Sequence, residues 1–253
     1  MTEKEIKKWW EETSKNYQEK SKIGTSSAHY GPFAPDEKRL KLLGNVKGKK
    51  ILELGCGGGQ CSIAFAKQGA KCTGIDISKE QLKFAENLAK KNKVNVNFIQ
   101  GSFQDLKKIK PNSHDIVFSA FALQYSPDLE KALKQVYRIL RKRGLFVFSF
   151  DHPFYSVLDP KTMKVINNYN KAGKLIEISE WDGKKHKFVA YLRKISEIYD
   201  AILNSGLSLE RIIEPYDKKA EKAWRADFWK KIYPVSLCKL VTPTIIFKTR
   251  KRV

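Results

Sequence analysis

Long apolar runs are missing from this chain of 253 residues, as is any apolar N-terminal stretch resembling a secretory leader. No membrane span is expected, and a cytoplasmic protein is. Cysteine is scarce: Cys56, Cys61, Cys72 and Cys238 form no C-x-x-C pair and have no histidine-rich neighbourhood. That pattern argues against disulfide staples and against a structural metal, so the four read as small buried apolar side chains and no metal is expected. Acidic residues are few, 27 against 49 basic ones, for a formal net charge of +22. The excess is overwhelmingly lysine, spread along the chain, whereas arginine is the better fork for phosphates and bases. A solvated lysine surface is expected ahead of a nucleic-acid face, which stays possible. A chain this long suits one large α/β domain with an insertion, or a domain and a small cap, and buries roughly three-quarters of its unfolded surface without staples.

One further absence is specific. The dinucleotide fingerprint needs a glycine at its sixth position, where Gln60 stands. The stretch ILELGCGGGQ instead reads acid-x-Gly-x-Gly-x-Gly on Glu53, Gly55, Gly57 and Gly59. A strand, a glycine turn and a helix begin a doubly wound sheet, and a carboxylate beside that turn suits a cationic ligand rather than a pyrophosphate. A second strand, KCTGID, ends in Asp76, 21 residues after Gly55. The carboxyl end of such a strand is where open α/β sheets meet ligands. Ser78 and Gln81 give a capping box for the next helix. Residues 94–100 and 114–119 alternate as strands; Ser126 and Pro127 read as N-cap and first residue of a helix that Gly144 ends, before the strand LFVFSF. Short connections throughout predict a mainly parallel sheet with helices on both faces.

The stretches ILELGCGGGQ, TGIDIS, FSAFALQYSPD and RILRKRGLFVFSFDHPF, within about residues 50–150, resemble the class I S-adenosylmethionine-dependent methyltransferases. The likeness is to the ubiquinone- and menaquinone-biosynthesis-type small-molecule group, the methyltransferase type 11 domain. It implies an α/β fold: a Rossmann-like, doubly wound, mainly parallel seven-stranded sheet with a lid insertion after the fifth strand. It implies S-adenosyl-L-methionine as cofactor, held by Glu53, Gly55, Cys56, Gly57 and Gly59, and by Asp76 on the ribose hydroxyls with Ile77 and Gln81 beside it. Where the family often has Gly-Asp for the adenine, this chain has Gly101-Ser102, so Ser102, the backbone at Phe103, or Asp105 takes that place. Arg143-Gly144 is a second departure, where the family commonly has Pro-Gly or Gly-Gly. Ser119 and Phe121 follow the fourth strand. Tyr17 and Tyr30 either cover the cofactor or pack their helix and loop; Trp9 and Trp10 are expected to pack the first helix onto the sheet.

The expected divisions are a helical cap over 1–45, a cofactor-binding core over 46–151, a lid insertion over 152–190, and the rest of the fold over 191–253. Within them, helices are expected at 1–22, 36–43 and 192–204, and strands at 174–181, 187–192, 207–214 and 244–249. The proline loop of base- and glutamine-amine methylation is absent after the fourth strand, as are a Pro-Cys nucleophile and a paired-glutamate loop. The resemblance then leaves a small organic or isoprenoid-like acceptor, in a pocket drawn from Tyr155, Trp181, Tyr191 and residues 224–233. Methylation of tRNA or rRNA through the basic C-terminal region stays open, as does a non-catalytic cofactor-binding subunit that works with a partner chain. Oligomeric state is not legible. His152, just past the fifth strand, is either a general base or a turn histidine before Pro153; His29 is a weaker base candidate, and His114 and His186 read as structural or exposed.

Overall fold

A computed structural model describes residues 3–171, 173–181, 183–224 and 227–252. Helix α1 (Glu3–Ser21) and the single turn α2 (Glu37–Leu40) lead into β1 (Lys50–Leu54). Then β1, α3 (Gln60–Lys67), β2 (Lys71–Asp76), α4 (Lys79–Lys91) and β3 (Val96–Gln100) alternate, followed by β4 (His114–Ala120), α5 (Leu129–Ile139) and β5 (Leu140–Asp151). A hairpin of β6 (Gly173–Trp181) and β7 (Lys184–Leu192) precedes α6 (Ile195–Asn204) and β8 (Leu207–Ile213). Three short helices, α7 (Lys218–Ala223), α8 (Asp227–Ile232) and α9 (Val235–Cys238), lead to β9 (Thr244–Lys251).

The main sheet has seven strands in the order β3-β2-β1-β4-β5-β9-β8. Strands β3 to β5 run parallel, and β9 inserts antiparallel between β5 and β8. This is the expected doubly wound sheet. Strand order reverses between β1 and β4, which opens a crevice above their carboxyl ends. Because helices cover both faces, the centre of β5 is apolar on successive residues rather than alternate ones. Phe146 stacks on Phe148 with ring centroids 4.6 Å apart, and Phe148 stacks on Phe247 at 5.1 Å.

Several boundaries differ from expectation, each for a local reason. The N-cap of α5 is Asp128, whose carboxylate accepts the Lys131 N–H at 2.9 Å, because the Ser126 hydroxyl is turned to Asp128 O at 2.8 Å. Gly144 does not end that helix. The chain is already extended at Leu140, and Arg143, with φ of 61°, and Gly144 lie within β5 where its register on β4 shifts. Helix α2 stops at Leu40 because Lys41 turns left-handed. The β6–β7 hairpin is a separate two-stranded sheet, and it leans on α1 rather than joining the main sheet. Among the described residues no helix is long and apolar enough to cross a membrane, and no group of His, Cys, Asp and Glu is arranged to hold a metal.

Phe148 has no solvent exposure. Phe148→Ala is expected to cost about 3–5 kcal/mol of stability, read as a lowered urea midpoint at unchanged slope.

Candidate active site

The glycine turn after β1 is tied to the end of β2. Gly57, at φ of 50°, donates its N–H to Asp76 Oδ2 at 2.8 Å, and Asp76 Oδ1 accepts the Ser78 N–H at 2.9 Å. Gly55, at φ of 63°, has no room for a side chain: a Cβ there would lie 2.2 Å from that of Ala122. The turn thus packs against the loop after β4 and keeps its backbone open to a ligand. Glu53 is buried and accepts the Ser62 N–H at 2.8 Å from the first turn of α3.

Helix α1 roofs this turn. Gln18 Nε2 donates to Gln81 Oε1 at 2.7 Å, and Gln18 Oε1 accepts from Gln60 Nε2 at 2.7 Å. One side chain of α1 therefore ties α3 to α4 across Gly58. Glu11 accepts the N–H groups of Lys79 and Glu80 at 2.9 and 3.2 Å, satisfying two orphan donors of α4 with a charge its dipole favours. Trp9 and Trp10 do not pack α1 onto the sheet as expected. Trp9 meets Phe188 of β7 at 5.2 Å, Trp10 meets Tyr125 at 5.8 Å, and both line the cavity beneath. The helix lies over the crevice, so its aromatic stripe faces ligand space and the hairpin.

Beneath this roof is a cavity of about 550 Å³, within the range of small-molecule sites. It extends from Asp76 at the end of β2 to Asp151 at the end of β5. At the far end Tyr233 donates to Asp151 Oδ1 at 2.6 Å, and Gln124 Nε2 makes a long 3.5 Å contact with Oδ2. Tyr17, Phe228, Trp224 and Trp229 wall that end. Burial dominates the protonation chemistry. It lifts Glu53 to about 7 and Asp76 and Asp151 each to about 6, and it lowers His29 to about 4, which keeps that imidazole neutral.

Of the residues picked from sequence, Tyr17, Glu53, Gly55, Cys56, Gly57 and Asp76 line the cavity, and so do Ile77, Gln81, Ser102, Phe103 and Phe121. Three others lie elsewhere. Tyr30 is fully buried against Phe118 and donates to Glu37, which in turn holds the Leu42 and Leu43 N–H groups. Ser119 donates to Leu54 O at 3.0 Å inside the sheet. Gly59 is the N-cap of α3 and faces Phe98 and Ala85. The Ser102 hydroxyl bonds Glu3 of α1 and accepts the Gln104 N–H at 2.9 Å.

His152 is not brought to the cavity. Its Nε2 pairs with Glu214 Oε1 at 2.6 Å and its Nδ1 accepts the Phe154 N–H at 3.1 Å, so both ring nitrogens are engaged in the turn. Successive residues of a strand point oppositely, and Asp151 has the cavity side. The signal for Asp151 was present in the sequence: an acid ending β5, as Asp76 ends β2. Tyr155 reaches the cavity, as do Trp224, Phe228, Trp229, Lys231, Ile232 and Tyr233 from 224–233, whereas Tyr191 borders a smaller adjoining one. The Trp181 side chain lies outside the described residues. Nothing in the local sequence marks Gln18 or Gln124.

The methyltransferase domain family matches residues 45–206, more than half of the chain. The chain belongs to that family. It is an enzyme of the class I, Rossmann-like kind whose cofactor is S-adenosylmethionine. The residues present fit that group, since Glu53 and Asp76 are buried carboxylates without a cationic neighbour beside an approachable backbone. Among curated proteins, an uncharacterized Haemophilus influenzae protein is 28% identical over 191 residues, 70% of this chain and 74% of that one. The ubiquinone biosynthesis O-methyltransferase of Pseudomonas fluorescens is 34% identical over 105 residues, 42% of this chain and 45% of that enzyme. The chain thus spans under half the length of that relative. The fold resembles the S-adenosylmethionine-dependent methyltransferase of Mesorhizobium loti, with a TM-score of 0.59 and 21% identity over 83% of this chain and 94% of that one.

The raised carboxyls set a pH dependence for the ligand-free protein. Each binds its proton more tightly folded than unfolded, so its stabilising contribution is full below about pH 4 and is lost as pH rises through 6 to 7. Asp76→Asn is expected to flatten the fall in urea stability between pH 4 and pH 7. A pH profile identical to wild type would show that Asp76 is not so buried.

Proposed function

We infer that this enzyme methylates a small organic acceptor, bound in the cavity between α1, the β6–β7 hairpin and the carboxyl edge of the sheet. The observation carrying this reading is the extent of that cavity. Its space continues past the cofactor end, from Asp76 to Asp151, under aromatic walls. A roofed, aromatic-walled cleft suits a small molecule rather than a base presented by a large RNA. The name of the Pseudomonas fluorescens relative, a ubiquinone biosynthesis enzyme, supports a small acceptor as well.

When bound, S-adenosylmethionine supplies a methyl group already activated on a sulfonium, so the protein's task is alignment and exclusion of water more than covalent help. Asp76 would accept the ribose hydroxyls. Gly55 and Gly57 would meet the amino-acid end with their backbone, and buried Glu53 would place negative charge near its ammonium. Ile77, Phe103 and Ser102 would border the adenine, with the Ser102 hydroxyl already oriented by Glu3. Helix α1 and the β6–β7 hairpin would act as a cover that limits the access of water. Their mutual contacts, His186 Nδ1 to Glu12 at 3.0 Å and Lys187 to Glu5 at 3.6 Å, tie the two halves of that cover together.

Calorimetric titration tests the reading. S-adenosylmethionine and S-adenosylhomocysteine should both bind, and Asp76→Ala should weaken each by about 1–3 kcal/mol through lost charge-assisted hydrogen bonds. Absence of binding by the wild type would overturn it. Tight binding of one RNA that survives moderate salt would move the acceptor from small molecule to nucleic acid.

A further inference from the structure

Resting on that reading, we propose that the acceptor is a small amine, recognised as its ammonium by Asp151 and Gln124 within the aromatic end of the cavity. The first ground is the sign of the charge. The chain carries +22, yet its cavity collects Glu3, Glu53, Asp76, Asp151 and Glu177 against one lysine among the described lining residues, Lys231; Glu177 and Lys231 are both exposed at the rim. His29, also lining it, stays neutral. Glu53 and Asp76 sit where the cationic cofactor is expected. Asp151 and Glu177 lie at the other end, and their own field is mutually unfavourable.

A second ground is independent of charge. Gln124 is 6% exposed, lines the cavity, and its Oε1 has no hydrogen-bond partner among the described residues. A buried acceptor left without a donor is unfavourable, and a ligand donor would relieve it. The same Gln124 reaches Asp151 Oδ2 with its other atom, so the two under-used acceptors are neighbours. An ammonium N–H group satisfies both; a phenolate or carboxylate satisfies neither and is repelled by Asp151.

The walls agree with a cation. Tyr155 and Tyr233 have ring centroids 5.7 Å apart, and Trp229 and Tyr233 have theirs 6.2 Å apart, with Phe228 and Tyr17 completing the surround. Aromatic faces attract a desolvated ammonium. Before it can act as a nucleophile, the bound ammonium must release one proton and keep the electron pair on nitrogen. Asp151 Oδ2 can take that proton, and its burial makes it a better acceptor than an ordinary carboxylate.

The test is binding by the full chain saturated with S-adenosylhomocysteine. Calorimetry compares 2-phenylethylamine, an ammonium at pH 7, with the neutral 2-phenylethanol, at a fixed salt concentration of about 0.15 M. The amine should bind at least about tenfold more tightly, and Asp151→Asn should bring the ratio near one while retaining affinity for S-adenosylhomocysteine. If that variant does not fold, Gln124→Leu serves instead and should reduce the ratio several-fold. Equal affinity for the two probes, preference for the alcohol, or binding of neither overturns the proposal, as does a preference unchanged in the folded variant. Failure to bind S-adenosylhomocysteine in the first place counts instead against the methyltransferase reading.

Discussion

Conversion of a bare crevice into a roofed cleft depends on one interaction, the clasp that Gln18 of α1 makes on Gln60 and Gln81. The carboxyl edge of a doubly wound sheet is a groove on its own. Here one amide side chain bridges the starts of α3 and α4 above the glycine turn, at 2.7 Å on each side. A primary amide suits this task because it carries donors and an acceptor at one tip. Seven residues earlier Glu11 holds two N–H groups of α4. With the helix so fixed, Trp9 and Trp10 are held over the cavity, and the hairpin gains an aromatic face to lean on.

The same enclosure sets the electrostatics. Carboxylates at the ends of β1, β2 and β5 would be ordinary acids in water. Under the roof they lose hydration and gain only neutral hydrogen-bond partners, so burial raises all three. The cavity is therefore an acidic, poorly solvated interior in a lysine-rich protein. A ligand carrying positive charge relieves that burden, and a negatively charged one adds to it. The lysine surface and the acidic interior do different jobs.

The walls of the acceptor end come from segments far apart in the chain. Tyr17 belongs to α1, Gln124 to the loop after β4, Tyr155 to the turn after β5, and Trp229 and Tyr233 to the region before β9. The Trp229 indole N–H donates to Ser21 O at 3.0 Å, closing this ring of segments back onto α1. The lining at the Asp76 end, by contrast, comes mainly from the compact β1–β3 unit and α1. A cavity with one locally built end and one composite end lets the second change without disturbing the first.

What the sequence determined by itself was what local chemistry encodes. The glycine turn, the acid ending β2, the capped start of α4 and the apolar β5 each depend on neighbours a few residues away, and the mainly parallel run of the strands followed from their short connections. Tertiary structure decided the rest. Whether Trp10 packs on the sheet or faces a ligand depends on where α1 docks, which its amphipathic pattern does not specify. Asp151 and His152 are adjacent letters, and only the register of β5 on β9 sends one to the cavity and the other to Glu214. Tyr30 and Ser119 were expected beside the cofactor, yet folding buries them and commits their hydroxyls to Glu37 and to Leu54 O, so they hold the scaffold together. Gln18 and Gln124 carry no sequence signal at all, because an amide acquires its role only from the partners that folding places within reach.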